Sequence, residues 1–336
     1  MKVKDQQILH PGKLRASRLM SKLTGSFYPH KYVNKPILKN DIKKILVQEH
    51  QCIGDVLMLE PALAALKAAF SEASVHLLCI PAVKELAQRS GLADKILEYP
   101  KEMPFNDTYD IVFDFHGDIR RLKNLKKINS RYYAGFNFSG GGKWLSHVVD
   151  YPFEEHQVKR PFYLLKEMDI PFTREVPQLR GFDSTGKIFD RVLLHPGANH
   201  AGRRWPREHW LELANLLKED KHEIIWITPP DERAPEELTE FSGSLVELAE
   251  ITALSALLVG CDSMAVHLGA ALGTPSLAIF GSQDPDLTKP YGPNGYFLIP
   301  EKECTHRRKD WRLCRECMRS VKPIDVYQKI NSILPK

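Results

Sequence analysis

Residues 257–281 have the sequence LLVGCDSMAVHLGAALGTPSLAIFG, which predicts a buried strand, a polar turn, a short helix and a second apolar strand. The polar turn, Asp262-Ser263, lies where the carboxyl end of the strand meets the amino end of the helix. Open α/β sheets bind ligands at that edge, and the N–H groups of a helix N-terminus favour anions such as phosphate. His267 follows about one helical turn later, so it can face the same crevice. An ordinary strand-to-helix connection with a capping aspartate explains the turn equally well.

Length and composition indicate a globular protein of two domains. The chain has 336 residues, more than one core usually holds, and its apolar and charged fractions are 43% and 26%. No apolar run approaches the ~18 residues of a transmembrane helix, and the amino terminus lacks the apolar core of a signal peptide. We therefore expect a cytoplasmic protein.

Predicted strands and helices alternate in both halves, which indicates two doubly wound parallel sheets facing one another across a cleft. We divide the chain into a basic arm (1–42), a first domain (43–170), a connection (171–190), a second domain (191–322) and a C-terminal helix (323–336). The first helix of the first domain is predicted to end near residue 70. Because proline is unfavourable inside a helix, we expect this helix to start or kink just before Pro61. Further strands are predicted at 44–48, 75–79, 96–99, 111–115, 191–195 and 223–228, helices at 83–90, 119–128, 155–168, 207–218, 231–241, 245–254 and 324–334, and a flexible loop at 135–142.

The charge is concentrated at the amino terminus. Residues 1–44 carry a net charge of +9 within a total of +5, which leaves the remainder mildly acidic. A basic arm of this kind suits an acidic surface, either a membrane or nucleic acid. Leucine and methionine interleave with the basic residues in the pattern of a short amphipathic helix on anionic lipid, although a solvated arm fits as well. We expect contact with an anionic membrane through residues 1–44 rather than with nucleic acid. The interleaved residues are Lys13, Leu14, Arg15, Arg18, Leu19, Met20, Lys22 and Leu23.

Three of the six cysteines, Cys304, Cys314 and Cys317, cluster near the carboxyl end. A zinc site with His306 is one interpretation, and a reduced structural cluster is the other. The spacer between Cys304 and Cys314 is highly charged and no second Cys-x-x-Cys is present. We expect no metal and no cofactor.

The loop Ile53-Gly-Asp55 follows the first predicted strand. Gly54 permits a tight turn, which would present the Asp55 carboxylate at the start of a helix. A carboxylate there can act as a general base that takes a proton from an attacking hydroxyl. It can also be a helix N-cap, the interpretation that spacing alone favours.

The loop at 195–206 carries the paired arginines Arg203 and Arg204. The planar guanidinium binds phosphate oxygens in a bidentate manner, so the pair suits a diphosphate; a basic surface loop is the alternative. The loop at 280–285 follows the next strand end and can close the same pocket. The chain matches neither the dinucleotide glycine fingerprint nor a P-loop.

Five ordered motifs have a family resemblance. They are Lys-Ile-Leu-Val, Ile-Gly-Asp-Val-Leu and Pro-Ala-Leu at 44–63, Asp-Phe-His-Gly-Asp at 114–118, His-Pro-Gly-Ala and Arg-Arg-Trp-Pro at 195–206, Asp-Ser and His-Leu-Gly-Ala-Ala-Leu-Gly-Thr-Pro at 262–275, and Phe-Gly, Asp-Pro and Tyr-Gly-Pro at 280–293. Together they resemble glycosyltransferase family 9, the heptosyltransferases of lipopolysaccharide core synthesis, which have the GT-B fold.

The resemblance implies an inverting, metal-independent transfer of a heptose, usually from ADP-heptose, to a lipopolysaccharide inner-core sugar. Asp55 would be the general base. In the second domain Arg203 would contact the donor phosphates, Asp262 the donor sugar and Ser263 the diphosphate, with His267 as the histidine of the same motif. We add Arg204 to the donor site. For the acceptor we expect contacts from Gly54, His116, Arg120 and Arg121, although the two arginines also fit a solvated helix face.

Three positions depart from the family pattern: Glu49 stands where a basic residue is usual, Met264 where glycine is usual and Gln283 where threonine is usual. They leave room for another nucleotide sugar or acceptor, or for a non-catalytic relative that binds a nucleotide and a membrane.

Overall fold

The computed structural model describes residues 11–27, 37, 39–229, 233–301 and 314–334. Within them the chain separates into two compact units, with the boundary between Glu175 and Val176. Each unit holds a six-stranded sheet in which every neighbouring pair of strands is parallel. The prediction of two parallel α/β sheets is therefore confirmed.

The first unit has the strand order β3-β2-β1-β4-β5-β6. The order reverses between β1 and β4, so the chain leaves these two neighbours toward opposite faces and a crevice opens at their carboxyl ends. The strands are β1 (Lys44–Glu49), β2 (Ser74–Cys79), β3 (Lys95–Glu98), β4 (Thr108–Asp114), β5 (Asn129–Asn137) and β6 (His147–Asp150), and the helices are α1 (Pro11–Phe27), α2 (Ile53–Ala69), α3 (Pro81–Arg89), α4 (Ile119–Leu125) and α5 (Arg160–Glu167).

The second unit repeats this plan with the order β12-β11-β10-β7-β8-β9, and its order reverses between β7 and β10. The strands are β7 (Ile188–His195), β8 (Glu223–Ile227), β9 (Thr239–Phe241), β10 (Ser255–Cys261), β11 (Ser276–Ile279) and β12 (Gly295–Leu298). The helices are α6 (Arg207–Glu219), α7 (Leu245–Ala253), α8 (Met264–Ala271), α9 (Pro285–Thr288), α10 (Glu316–Ser320) and α11 (Pro323–Ile333).

Helix α2 begins eight residues before Pro61 and continues past it. The expectation that the helix starts near this proline is therefore wrong. Proline in a helix interior costs about 3 kcal/mol because it removes one backbone hydrogen bond. Eleven of the seventeen residues of α2 are buried, Pro61 among them, and that burial outweighs the local preference.

Two further predictions fail for local reasons. Gly135 was expected in a flexible loop but lies inside β5, where a Cβ atom would come 2.8 Å from the backbone oxygen of Asp114. Glycine there permits the close approach of β4 and β5, so it marks a tight sheet contact rather than a loop. The range 231–241 was predicted to be a helix, but its last three residues form the strand β9. A strand of three residues is too short to show a period of two in the sequence. Residues 230–232 lie outside the described part.

In the part of the chain that the structure describes, no helix is long and apolar enough to span a membrane.

Candidate active site

An open recess lies at the carboxyl edge of the first sheet, where the strand order reverses. Glu49 is the last residue of β1, Asp55 lies in the first turn of α2, and His116 follows β4. These three side chains share the recess with residues from the segment before and at the start of α5. Its lining is Glu49, Asp55, Met58, Leu59, Phe115, His116, Tyr151, Gln157, Arg160 and Pro161. We call this the β1–β4 recess.

Asp55 is a helical residue and not the cap of its helix. The N-cap of α2 is Cys52, and its side chain makes no capping hydrogen bond. Asp55 is the third helical residue, so the positive end of the helix dipole favours its carboxylate. The capping interpretation of Asp55 is therefore wrong. Gly54, expected to form a tight turn, is the buried second residue of the helix and is not part of the recess lining.

Glu49 forms a buried ion pair with Arg121 from helix α4. Both terminal nitrogens of Arg121 lie 3.3 Å from Glu49 Oε1, and Nη2 also donates to the backbone oxygen of Gln48. On its other side, Arg121 Nε lies 3.4 Å from Oδ2 of the fully buried Asp114. Burial raises the pKa of Glu49, the Arg121 charge opposes this, and the nearby Asp55 adds to the rise. A single cation thus offsets the charge of two carboxylates, and Arg121 itself is not part of the recess lining.

The paired arginines of the predicted acceptor site separate in the structure. Arg121 turns inward to Glu49, whereas Arg120 lies on the surface and pairs with Asp118, with Nη2 2.7 Å from Oδ2. Neither belongs to the recess lining. The interpretation of this stretch as a solvated helix face holds for Arg120 and is wrong for Arg121.

His116 is held in the recess wall by its backbone. Its N–H donates to Asp114 Oδ1 at 2.9 Å, and the N–H of Gly117 donates to the same oxygen. Burial, together with the nearby Arg121 charge, lowers the pKa of His116, so the ring is neutral near pH 7. Its Nδ1 atom is buried and has no hydrogen-bond partner among the described residues. A neutral imidazole in this position suits a hydrogen bond to a sugar hydroxyl better than a contact with phosphate.

Gly117 should not tolerate a side chain, which gives a test of this wall. Its φ is +76°, and an added Cβ would lie 2.6 Å from the backbone oxygen of Phe136. We expect Gly117→Ala to lower the free energy of unfolding by at least about 2 kcal/mol, because left-handed strain adds to the clash. Gly91 is the control, since its φ is +61° with nothing within 4 Å of a Cβ, so alanine there should cost only about 1 kcal/mol. Urea unfolding of both variants measures the difference, and equal losses would contradict the close contact.

Tyr151 and Arg160 line the recess although no motif indicated them. The Arg160 guanidinium donates to Tyr151 Oη and to the backbone oxygens of Glu155, at 3.0 Å, and Phe153. Burial raises the pKa of Tyr151, so its phenol stays protonated. Tyr151 directly follows β6, and Arg160 is the first residue of α5. The sequence predicts a helix over 155–168, which includes Arg160 but gives no sign of its contact with Tyr151.

In the second unit, Asp262 and Arg203 contact each other at the carboxyl end of β10. Arg203 Nε lies 3.5 Å from Asp262 Oδ2, and Nη1 donates to the Asp262 backbone oxygen at 3.3 Å. Thr288 from α9 donates to Asp262 Oδ2 at 3.5 Å, so the segment after β11 reaches the same place. Burial raises the pKa of Asp262, and the Arg203 charge and the Thr288 hydroxyl oppose the rise.

Ser263 is the N-cap residue of α8, but its side chain caps no backbone N–H. Its Oγ instead lies 3.3 Å from Nδ1 of His195, which ends β7. Burial lowers the pKa of His195 to about 4, so this histidine is neutral at pH 7. Because the serine hydroxyl points to His195, the first N–H groups of α8 remain for another acceptor. We name Arg203, Asp262, Ser263, His195 and Thr288 the Asp262 cluster.

The remaining predicted donor residues lie near this cluster in sequence. Arg204 is exposed and its Nε donates to the backbone oxygen of Ala198 at 2.9 Å, which ties the loop to itself. His267 is buried inside α8, four residues beyond Ser263. Met264 is the first helical residue, which puts a side chain beside the predicted phosphate site.

The cysteine cluster is only partly described. Cys314 and Cys317 take part in no disulfide bond within the described residues, whereas Cys304 and His306 lie outside them. Within the residues that the structure covers, no group of three or more His, Cys, Asp or Glu side chains is arranged to hold a metal ion.

Comparison with known proteins shows the family of the chain. The model of glycosyltransferase family 9 (heptosyltransferase) matches residues 106–316. Lipopolysaccharide heptosyltransferase 1 of Escherichia coli K12 is 32% identical over 113 residues, which cover 31% of this chain and 35% of that protein. Its counterpart from Salmonella typhimurium is 30% identical over 210 residues, 55% of this chain and 65% of that protein. The chain thus matches about a third of the length of the first relative and just under two thirds of the second.

Among solved structures, the ADP-heptose LPS heptosyltransferase II of E. coli has a TM-score of 0.72 at 17% identity, over 87% of this chain and 98% of that one. The likeness at this identity concerns the fold, and it confirms the predicted GT-B type with two Rossmann-like domains.

Proposed function

Since the chain belongs to glycosyltransferase family 9, we propose that it transfers a heptose from ADP-heptose to a lipopolysaccharide inner-core acceptor. The observation that carries the proposal is that Asp55 lines a recess on the sheet edge where open α/β folds bind ligands. The names of the relatives support the sugar, and that of the solved relative supports the nucleotide.

In the proposed reaction an acceptor hydroxyl in the β1–β4 recess attacks the anomeric carbon of the heptose. Asp55 takes the hydroxyl proton, the new glycosidic C–O bond forms, and the bond from the anomeric carbon to the diphosphate oxygen breaks. ADP leaves with the bonding electron pair. One displacement from the opposite face inverts the anomeric configuration. His116, neutral and partly exposed in the recess, would accept or donate one hydrogen bond to the acceptor sugar.

The donor would bind at the Asp262 cluster of the second unit. Negative charge grows on the departing diphosphate, and preorganised N–H donors stabilise such charge without a metal. The first turn of α8 and the Arg203 guanidinium provide these donors. The buried Asp262 carboxylate would repel phosphate, so we assign it to a heptose hydroxyl. Arg204 and His267 stay candidate donor contacts.

A second candidate, transfer to an uncharged sugar, is favoured by the charge of the recess. Its two carboxylates are Glu49 and Asp55, and its arginine, Arg160, is engaged by Tyr151 and two backbone oxygens. Arg121 is committed to Glu49 and Asp114. Among the described residues the recess therefore offers hydrogen bonds to hydroxyls more readily than a cation for an acidic group. Under either candidate the acceptor is a glycan, either free or linked to a lipid. We place the enzyme at the cytoplasmic side of the membrane that contains the lipid-linked acceptor.

A transfer assay tests the function directly. The protein is incubated with ADP-heptose and either a Kdo–lipid A acceptor or a neutral oligosaccharide core, and mass spectrometry detects the addition of one heptose. We expect ADP release coupled to heptose addition and, by NMR, the inverted anomeric linkage. Thermal stabilisation by ADP, UDP, GDP and CDP identifies the nucleotide independently of the acceptor. Selective stabilisation by a nucleotide other than ADP, or retention of configuration, would contradict the proposal.

A further inference from the structure

Helix α1 is attached to the first unit along one side. Ser17 Oγ donates to the backbone oxygen of Ser139 at 2.7 Å. The Arg18 guanidinium donates through Nε and Nη2 to the backbone oxygen of Phe138, at 3.0 and 2.8 Å. Leu14 and Ser17 are partly buried, whereas their described neighbours on the helix are exposed. These contacts determine which face of α1 lies against the protein.

The opposite face of α1 is apolar and open to solvent. Leu19, Met20 and Leu23 are 60%, 58% and 56% exposed. At about 100° per residue the three side chains fall within an arc of about 100°, on the side away from Leu14 and Ser17. Single exposed apolar residues are common on protein surfaces, but three large ones together on one helical face indicate a surface that contacts something apolar.

Cations border this apolar face on both sides. On the same helical projection Lys13 lies next to Met20, and Arg15 lies next to Leu19 on the other edge; both are exposed. An apolar strip with a basic residue on each edge is typical of helices that lie in a membrane interface. There the long basic side chains reach back to headgroup phosphates while the apolar ones enter the acyl region.

The charge distribution selects an anionic lipid surface over other occupants. Residues 1–44 carry +9, so the same face of a second copy would bring like charge to the contact. Nucleic acid would satisfy the cations but would leave the leucines and the methionine in water. An anionic bilayer satisfies both sets of side chains.

We propose that the Leu19/Met20/Leu23 face of α1 inserts into the interface of an anionic membrane, with Lys13 and Arg15 against its phosphates. Because α1 is hydrogen-bonded to the unit that contains the β1–β4 recess, insertion holds that unit at the lipid surface. Only the purpose of this membrane contact, access to a lipid-linked acceptor, rests on the proposed function. Lipid binding itself is measured without donor or acceptor.

Vesicle sedimentation of the full chain tests the surface. The probes are phosphatidylcholine vesicles with and without phosphatidylglycerol, and the variant is Leu19→Ser/Met20→Ser/Leu23→Ser. We expect wild type to bind the anionic vesicles and the triple variant to bind at least about tenfold more weakly. The matched control is Phe189→Ser, which removes a 75%-exposed apolar side chain from β7 and should leave binding unchanged. A second variant, Lys13→Gln/Arg15→Gln, should weaken binding and reduce its dependence on salt.

Three outcomes would overturn the proposal: no binding by wild type, equal binding to neutral and anionic vesicles, or equal binding by wild type and the triple variant. Melting temperatures equal to that of wild type exclude unfolding as the cause of lost binding. The triple variant should keep its rate on a water-soluble core acceptor, so a failure here is distinct from a failure of the proposed transferase activity. Duplex DNA binding that survives the triple substitution, with no vesicle binding, would assign the basic residues to nucleic acid instead.

Discussion

Asparagine in place of Asp55 is expected to lower kcat for heptose transfer by about a hundred- to ten-thousandfold. The side chain keeps its size and its place in the first turn of α2, but an amide cannot take the proton of the attacking hydroxyl. KM for the acceptor should change much less, because the recess keeps its shape. The measurement is steady-state ADP release with ADP-heptose and the acceptor identified by the transfer assay.

Two controls show whether the loss belongs to the proton transfer. Asp55→Asn should retain thermal stabilisation by ADP, because the Asp262 cluster lies in the other unit, whereas Arg203→Ala should lose it. Glu49→Gln removes the other carboxylate of the recess and should keep most of kcat, since Arg121 already holds Glu49. Full activity of Asp55→Asn together with loss in Glu49→Gln would move the base to Glu49. Unchanged cellular function of Asp55→Asn would favour a non-catalytic binding protein.

The fold was accessible from the sequence where apolar runs alternate with turn residues. Residues 257–281 yielded a strand, a turn, a helix and a second strand, and the structure has β10, α8 and β11 in that order. The predictions failed where tertiary contacts override local preference. The buried α2 passes through Pro61, and β5 contains the glycine that lets it approach β4.

The sites were accessible only in part, for a physical reason. A motif indicates residues at a strand end, which is how Asp55, Asp262 and Ser263 were selected. A motif does not indicate which side chain, distant in the sequence, provides the positive charge that pairs with such a carboxylate. Arg121 is 72 positions from Glu49 and Arg203 is 59 from Asp262, and only the sheet order brings each pair together.

Glu49 shows what this limitation means for function. The sequence identified it as an acidic residue where the family usually has a basic one, which suggested a changed or lost activity. The structure places a guanidinium beside it from α4, so positive charge is present at this point but arrives from another element. The Glu49 carboxylate is thus part of the recess lining, while the Arg121 cation that pairs with it lies outside that lining.

Methionine in place of Arg121 is expected to lower the free energy of unfolding by about 3–5 kcal/mol, because it leaves the carboxylates of Glu49 and Asp114 buried without their cation. Arg120→Met is the matched control one residue away. Its ion pair with Asp118 involves an arginine side chain that is 87% exposed, so its loss should cost less than about 1 kcal/mol. Urea unfolding followed by circular dichroism at pH 7 measures both values.

The pH dependence of the Arg121→Met variant identifies the cause of its instability. Burial already raises the pKa of Glu49, and removing the opposing Arg121 charge raises that pKa further. Glu49 then binds a proton more tightly in the folded state than in the unfolded state. The ionised carboxylate therefore lowers the stability of the variant as pH rises through the folded pKa of Glu49. This loss disappears as pH falls toward the ordinary pKa that Glu49 has in the unfolded chain. The stability difference from wild type should therefore shrink between pH 7 and pH 5, and Arg121→Met/Glu49→Gln should recover part of it at pH 7. A loss as small as that of Arg120→Met, or one independent of pH, would mean that Arg121 does not neutralise the wall of the recess.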